Sequence, residues 1–379
     1  MDVLVVGGGI QGLATACALA RDGHAVELLE REKTGSRASW VAAGLLTPST
    51  PWTYPRALVD LAFTSEARFA DFVADLIDHG GPDPELEDHG MLYPSGFGVT
   101  PEQVADETEI RRELGYEVDL LDRAALDALQ PGLGGRVTCA GWQAKGARVR
   151  PPRLLAALRR RALALDVVIH ENCAVTGLLG GPGGVRGVAA CRDGGREQML
   201  EGDAVVLAAG AWSGGLARTL GVDVAVRPVR GQILLLRGPP GLLGPTLNAG
   251  TNYLVPRTDG RILVGSTMEE AGFDATTTPD ALDRLRRVAR ELFPATRDMP
   301  EEMAWAGLRP GTPDRMPYIG AVPEVPGLVL ATGHFRNGIL LAPITAECVA
   351  AVLAGRAPPV DLSPFAPRPV DPDAVLAMG

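Results

Sequence analysis

The sequence predicts an α/β chain with α+β character, in which a parallel sheet is interrupted by an inserted, mostly antiparallel β region. Three observations predict it. The chain opens on a strand, a glycine turn, a helix and a second strand in immediate succession. A second buried strand ends in small residues at Val205–Ser213. Between that strand and the last third of the chain the pattern changes to hairpins. The 379 residues allow two to three domains at about 150 residues each.

Asp2–Val6 reads as a buried strand, followed by Gly7-Gly8-Gly9-Ile10-Gln11-Gly12, a GxGxxG pattern. Leu13–Arg21 is an Ala- and Leu-rich helix, Gly23 a left-handed terminator, and Ala25–Leu29 the second strand, ending at Glu30. Each part suits a dinucleotide. Gly7 permits the tight turn, Gly9 lets backbone approach a pyrophosphate, and Gly12 lets the helix pack closely on the strand. Ile10 and Gln11 lie within the motif, and the N-terminus of the helix offers free N–H groups and partial positive charge to phosphates. Glu30 can accept from a ribose hydroxyl, and Arg31 follows it. The ordered strand–turn–helix–strand–acid series is stronger than GxGxxG alone, but it does not separate one dinucleotide from another.

Arg37-Ala38-Ser39-Trp40-Val41-Ala42-Ala43-Gly44-Leu45 comes next, with Ala43 and Gly44 small enough for close backbone approach to a ring. Leu58–His79 has helical periodicity, as do Glu102–Tyr116 and Pro151–Leu165, the last leading into a strand at Val167–His170. Arg227–Leu236 reads as a strand. Asn252–Arg257 and Arg261–Ser266 form a hairpin around Thr258-Asp259-Gly260, and Asp280–Phe293 is amphipathic helix.

Composition excludes several classes. A net charge of −10 makes nucleic acid a poor partner. The five cysteines form no CxxC pair and suit no metal site, so no metal is expected and a reducing cytoplasm is. No secretory pattern precedes the first strand, and no apolar run approaches the roughly 20 residues of a membrane span.

Three later segments carry the most specific signal: Tyr253-Leu254-Val255-Pro256-Arg257, Trp305-Ala306-Gly307-Leu308-Arg309-Pro310-Gly311-Thr312, and Gly333-His334-Phe335-Arg336-Asn337-Gly338-Ile339-Leu340. With the N-terminal motifs, and in the same order over nearly the whole chain, they resemble the D-amino-acid oxidase superfamily, most closely glycine oxidases of the thiamine-biosynthesis type. The resemblance implies a Rossmann-like FAD-binding domain of the glutathione-reductase type with an inserted, mostly antiparallel β substrate domain. Residues 1–80, 141–221 and 309–379 would form the first, and 81–140 and 222–308 the second.

It also implies roles. Arg309 would make a two-pronged pair with a substrate carboxylate, which its planar fork matches, and Tyr253 would donate to the same group. Arg336 matches another active-site arginine and Met268 an apolar pocket residue. FAD would be bound non-covalently, since Gly307–Gly320 lacks the cysteine that attaches flavin in related covalent enzymes. Its contacts would be Gly7, Gly9, Ile10, Gln11, Gly12, Glu30, Arg31, Arg37, Ala38, Ser39, Ala43, Gly44, Leu45, Val175, Ala209, Gly210, Trp212 and the loop His334, Phe335, Arg336, Asn337, Gly338, Ile339 and Leu340. The expected partners are a small amino acid and oxygen, giving hydrogen peroxide, in a homo-oligomer that is a tetramer by analogy. A dehydrogenase passing electrons to a quinone or protein acceptor remains open on the sequence. Leu45 and Trp40 depart from the family pattern. So does Leu46–Arg56, with three prolines and two aromatics, which is read as bordering the active-site entrance.

Overall fold

The computed structural model describes residues 1–47 and 54–368. Most of the Leu46–Arg56 segment therefore lies outside the described residues, as does the C-terminal stretch 369–379.

The opening strand, Asp2–Val6, is buried from Val3 onward and pairs in parallel with Ala25–Leu29 on one side and Ala204–Leu207 on the other. Such double-sided burial explains its unbroken run of Val and Leu. The sheet continues outward to Val168–His170 beyond Ala25–Leu29 and to Leu328–Thr332 beyond Ala204–Leu207. Tyr318–Ala321 closes that edge, antiparallel to its neighbour. Helix Ile10–Arg21 returns across the sheet and packs against helices Pro151–Ala164 and Ala342–Leu353. Gly23, at φ 83°, ends it in the left-handed conformation that side-chain-bearing residues rarely adopt.

The second large sheet has eight strands. Its order is Glu301–Gly311, Arg227–Arg237, Arg261–Gly265, Asn252–Pro256, Thr246–Ala249, Met91–Pro94, Cys139–Gln143 and Val118–Asp122. Neighbours run antiparallel except Thr246–Ala249 beside Met91–Pro94. A separate antiparallel meander, Cys173–Gly181, Gly184–Arg192 and Glu197–Glu201, adjoins the parallel sheet. The expected hairpin forms between Asn252–Pro256 and Arg261–Gly265, its turn closed by Gly260 at φ 86°.

One expected element differs. The helical stretch Leu58–His79 is two helices, Arg56–Glu66 and Phe69–Asp78. The chain bends at Ala67–Arg68. The Arg68 side chain folds back to donate to the Thr64 carbonyl and pairs with Glu347 on the C-terminal helix. The bend lets Ser65 donate to the Leu340 carbonyl while Phe69, Val73 and Leu76 turn into the core. Apolar periodicity continues across the bend, so the sequence pattern does not reveal it.

Candidate active site

A single cavity of about 460 Å³ runs from the glycine turn of the first sheet to the inner face of the second. At one end are Gly7, Gly9, Ile10, Gln11, Glu30, Arg31, Arg37, Ala38 and Ser39; at the other are Ile233, Tyr253, Ser266, Gly307 and Arg309. Ala43, Gly44, Leu45, Val175, Ala209, Gly210 and Trp212 also line it, with the loop His334–Ile339.

The turn is bare by necessity. A Cβ on Gly7 would stand 2.5 Å from the Ala208 carbonyl oxygen. The Gly8 N–H donates to Glu30 at 2.8 Å, and the other Glu30 oxygen accepts from the Glu32 N–H at 2.9 Å. Each carboxylate oxygen keeps a lone pair for a further donor. Ser39 accepts from the Ile10 N–H at 3.0 Å, which brings Arg37–Ser39 over the helix start. Gln11 donates to the Gly338 carbonyl at 2.8 Å and so ties the first turn to the C-terminal loop. Its Oε1 is buried without a hydrogen-bond partner among the described residues. Arg37 pairs with Glu32, and the Arg31 guanidinium lies 3.8 Å from the centre of the Trp212 ring.

At the far end, Arg309 leaves its strand opposite Val229. Its Nη1 donates to the Thr267 carbonyl at 3.0 Å and its Nη2 to Ser266 Oγ at 2.7 Å. Among the described residues it makes no ion pair, and the nearby Arg336 adds a second positive charge. Burial first, and then Arg336, hold its pKa below the usual guanidinium value. Tyr253 stands opposite Gly265, where a Cβ would fall 2.3 Å from the phenol ring, so glycine alone makes room for it. A Cβ on Gly307 would likewise lie 2.2 Å from Val41. Trp305 donates to the Val41 carbonyl at 3.2 Å and packs edge-on to Trp40. The unusual Trp40 thereby pins the short helix Ala38–Val41 to the substrate-side strand.

Arg257 ties the end of the strand Asn252–Pro256 to two loop carbonyls. It is buried and donates to the Ala43 and Val149 carbonyls, each at 2.8 Å. Burial, together with Arg148 and Arg150, brings its pKa down to about 10. In the C-terminal loop the Phe335 N–H donates to the Pro310 carbonyl, one residue from Arg309. His334 is buried against Thr345 at 3.0 Å, and burial pushes its pKa down to about 3, so the imidazole is neutral.

Three of the residues named from sequence do not reach the cavity wall. Gly12 packs instead: a Cβ there would stand 1.8 Å from the Gly7 carbonyl oxygen. Leu340 is buried, its carbonyl accepting from Ser65. Met268 follows the segment that holds Arg309 but is not part of the lining, which Ser266 supplies in its place. Ser266 and Thr267 were not anticipated. A backbone carbonyl that orients a guanidinium leaves no mark in the sequence, and a lone serine is a weak signal.

These residues fit FAD. The helix Ile10–Arg21 has no side-chain cap from its own N-cap residue and no acid in its first turn, which leaves its positive end to an anion. The glycines Gly7 and Gly9 lie in the lining, and Glu30 is the one carboxylate in it among the described residues.

Residues 2–352 match the model of a family described as FAD dependent oxidoreductase (DAO). The chain is 39% identical over 369 residues to a glycine oxidase of Pseudomonas aeruginosa, covering 96% of this chain and 98% of that one. It is 41% identical over 368 residues to a glycine oxidase of Pseudomonas putida, covering 97% and 98%. Among solved structures it is similar to the glycine oxidase from Geobacillus kaustophilus, with a TM-score of 0.91, 31% identity and coverage of 97% and 98%.

Proposed function

This chain belongs to the FAD dependent oxidoreductase family, and from that premise we propose that it oxidises glycine, and with relaxed preference sarcosine and small D-amino acids. The balanced reaction converts glycine, oxygen and water to glyoxylate, ammonia and hydrogen peroxide. The observation that carries this reading is Arg309, a guanidinium without an ion pair among the described residues, facing the cavity that also reaches the Gly7–Gly12 turn. A cation so placed stabilises a carboxylate ligand.

FAD, when bound, supplies the acceptor for the hydride that leaves the α-carbon. Gly7, Gly9, Ile10, Gln11 and Glu30 would hold its dinucleotide part, and Ala43, Gly44 and the loop His334–Ile339 its ring. Arg309 grips the substrate carboxylate by its planar fork, and Tyr253 donates its hydroxyl to the same group. Val41, Ile233 and Leu45 give that end an apolar wall that excludes water around the α-carbon. Among the described residues no carboxylate lines that end, and His334 is held neutral against Thr345, so they offer no base there. The substrate amine must therefore arrive neutral. Catalysis rests on positioning and on fixed charge.

In this reading residues 1–80, 141–221 and 309–379 form the FAD-binding domain, with the Arg309 fork at the start of its third segment reaching the substrate, and 81–140 and 222–308 form the substrate-binding domain. A cytoplasmic tetramer belongs to the same proposal. No helix among the described residues is long and apolar enough to cross a membrane. The relatives named as oxidases do not favour the quinone- or protein-reducing alternative.

Oxygen uptake with each amino acid, measured beside reduction of an artificial dye, tests the proposal. Uptake with glycine and stoichiometric peroxide is expected. Dye reduction without oxygen uptake would replace the oxidase with a dehydrogenase.

A further inference from the structure

The Arg309 guanidinium sits between two pieces of backbone. On one side is the strand Arg227–Arg237, where Gly231 leaves it room. On the other is Ser266–Thr267, whose hydroxyl and carbonyl oxygens accept its two hydrogen bonds. Ser266 and Thr267 lie past the end of the strand Arg261–Gly265, outside its regular ladder, so something else must hold them at the right height.

That something is a polar clasp, buried at Arg230 and Gln232 and partly exposed at Glu269. Arg230 and Gln232 flank Gly231, and alternation along the strand sends their side chains to the face opposite Arg309. Gln232 is 0% exposed. Its N–H donates to Thr267 Oγ1 at 3.0 Å, and its amide donates to both Glu269 oxygens at 3.0 and 3.1 Å. Arg230 meets Glu269 through Nε at 2.9 Å and Nη2 at 2.6 Å, and their backbones exchange two further hydrogen bonds. Asp274 and Thr278 complete the set, accepting from Arg230 and exchanging with Gln232. The carboxylate thus takes donors from the two residues that flank Gly231.

We propose that Glu269 and Gln232 are positioning residues: they fasten the Ser266–Thr267 segment to the strand beneath Arg309 and so fix the fork that receives the substrate carboxylate. The inference rests on the reading of Arg309 as the carboxylate anchor. It assigns to Glu269 and Gln232 an effect on binding without contact with the substrate. Loss of the clasp frees the two acceptors of Arg309 to drift, and a bidentate pair is sensitive to such drift.

The test uses the FAD-loaded enzyme and glycolate, a carboxylate that lacks the amine, titrated by its perturbation of the flavin spectrum. Glu269→Ala is expected to weaken glycolate about tenfold, the scale of a lost charged hydrogen bond, and to raise KM for glycine more than it lowers kcat. FAD content should be unchanged. If Glu269→Ala does not accumulate as holoenzyme, Glu269→Gln keeps the shape and gives the same comparison, with a rise of about threefold. Unchanged glycolate affinity in a variant that has lost only thermal stability would overturn the inference and leave the anchor reading intact. A wild-type holoenzyme that binds no glycolate would overturn both.

Discussion

The Arg309 guanidinium occupies the space that a side chain on Gly231 would need: a Cβ there would stand 2.2 Å from Nη1. Gly231→Ala must therefore push the fork out of place or strain the strand, at about 1–3 kcal/mol for overpacking. We expect kcat/KM for glycine to fall by that amount while FAD stays bound. Steady-state kinetics beside the flavin spectrum measure it, and normal kinetics would mean that the guanidinium sits elsewhere.

Removing the cation itself is more severe. Arg309→Ala should give a folded, yellow protein with kcat/KM lowered by about 3–5 kcal/mol, the range for leaving a buried charge without its partner. Arg309→Lys should recover part of this only, since an ammonium lacks the planar fork. An Arg309→Ala enzyme with near-normal kcat/KM would remove the carboxylate anchor from the account.

Arg257 joins the substrate-side hairpin to the Ala43–Gly44 turn through two hydrogen bonds to buried carbonyls. Arg257→Ala should loosen that turn and lower the FAD retained after desalting, with substrate affinity in the remaining holoenzyme little changed. Cofactor-to-protein ratio and KM, measured on one preparation, separate the two effects.

The pH dependence of stability carries opposite contributions from two buried groups. His334 is held neutral, its pKa lowered by burial from 6.5 to about 3. The unfolded chain binds the proton more readily, so this contribution is present above pH 6.5 and is lost as pH falls toward 3. Glu66 is the reverse: burial raises its pKa from 4.5 to about 7, so its contribution is present below pH 4.5 and is lost as pH rises through 7. Melting temperatures between pH 6.5 and 4.5 should fall less steeply in His334→Gln than in the parent, and more steeply in Glu66→Gln. Parallel curves would show that neither group is so shifted.

Much of the fold was legible because the opening strand is buried on both faces and reads as an unbroken apolar run, and because Gly7 and Gly260 mark turns where a Cβ would clash and Gly23 a left-handed helix end. The bend at Ala67–Arg68 was not legible, since it depends on Arg68 reaching Glu347 far along the chain. At the site, Arg309, Tyr253 and the loop at His334 were legible through the resemblance that their segments carry, to which their residue chemistry conforms. Ser266, Thr267 and Gln232 did not, because their part lies in backbone oxygens and in contacts across strands. Met268 was named because it matches an apolar pocket residue of the family, whereas in this chain Ser266 and not Met268 lies in the lining.

The central claim is that one cavity holds FAD at the glycine turn and an amino-acid carboxylate at Arg309. Mixing the yellow enzyme anaerobically with glycine, and following the visible flavin absorbance, tests it most directly. The account predicts loss of colour with glycine, return of colour with peroxide on admitting air, and neither with Arg309→Ala on the same timescale. A wild-type enzyme that keeps its colour with glycine, sarcosine and D-alanine alike would contradict it.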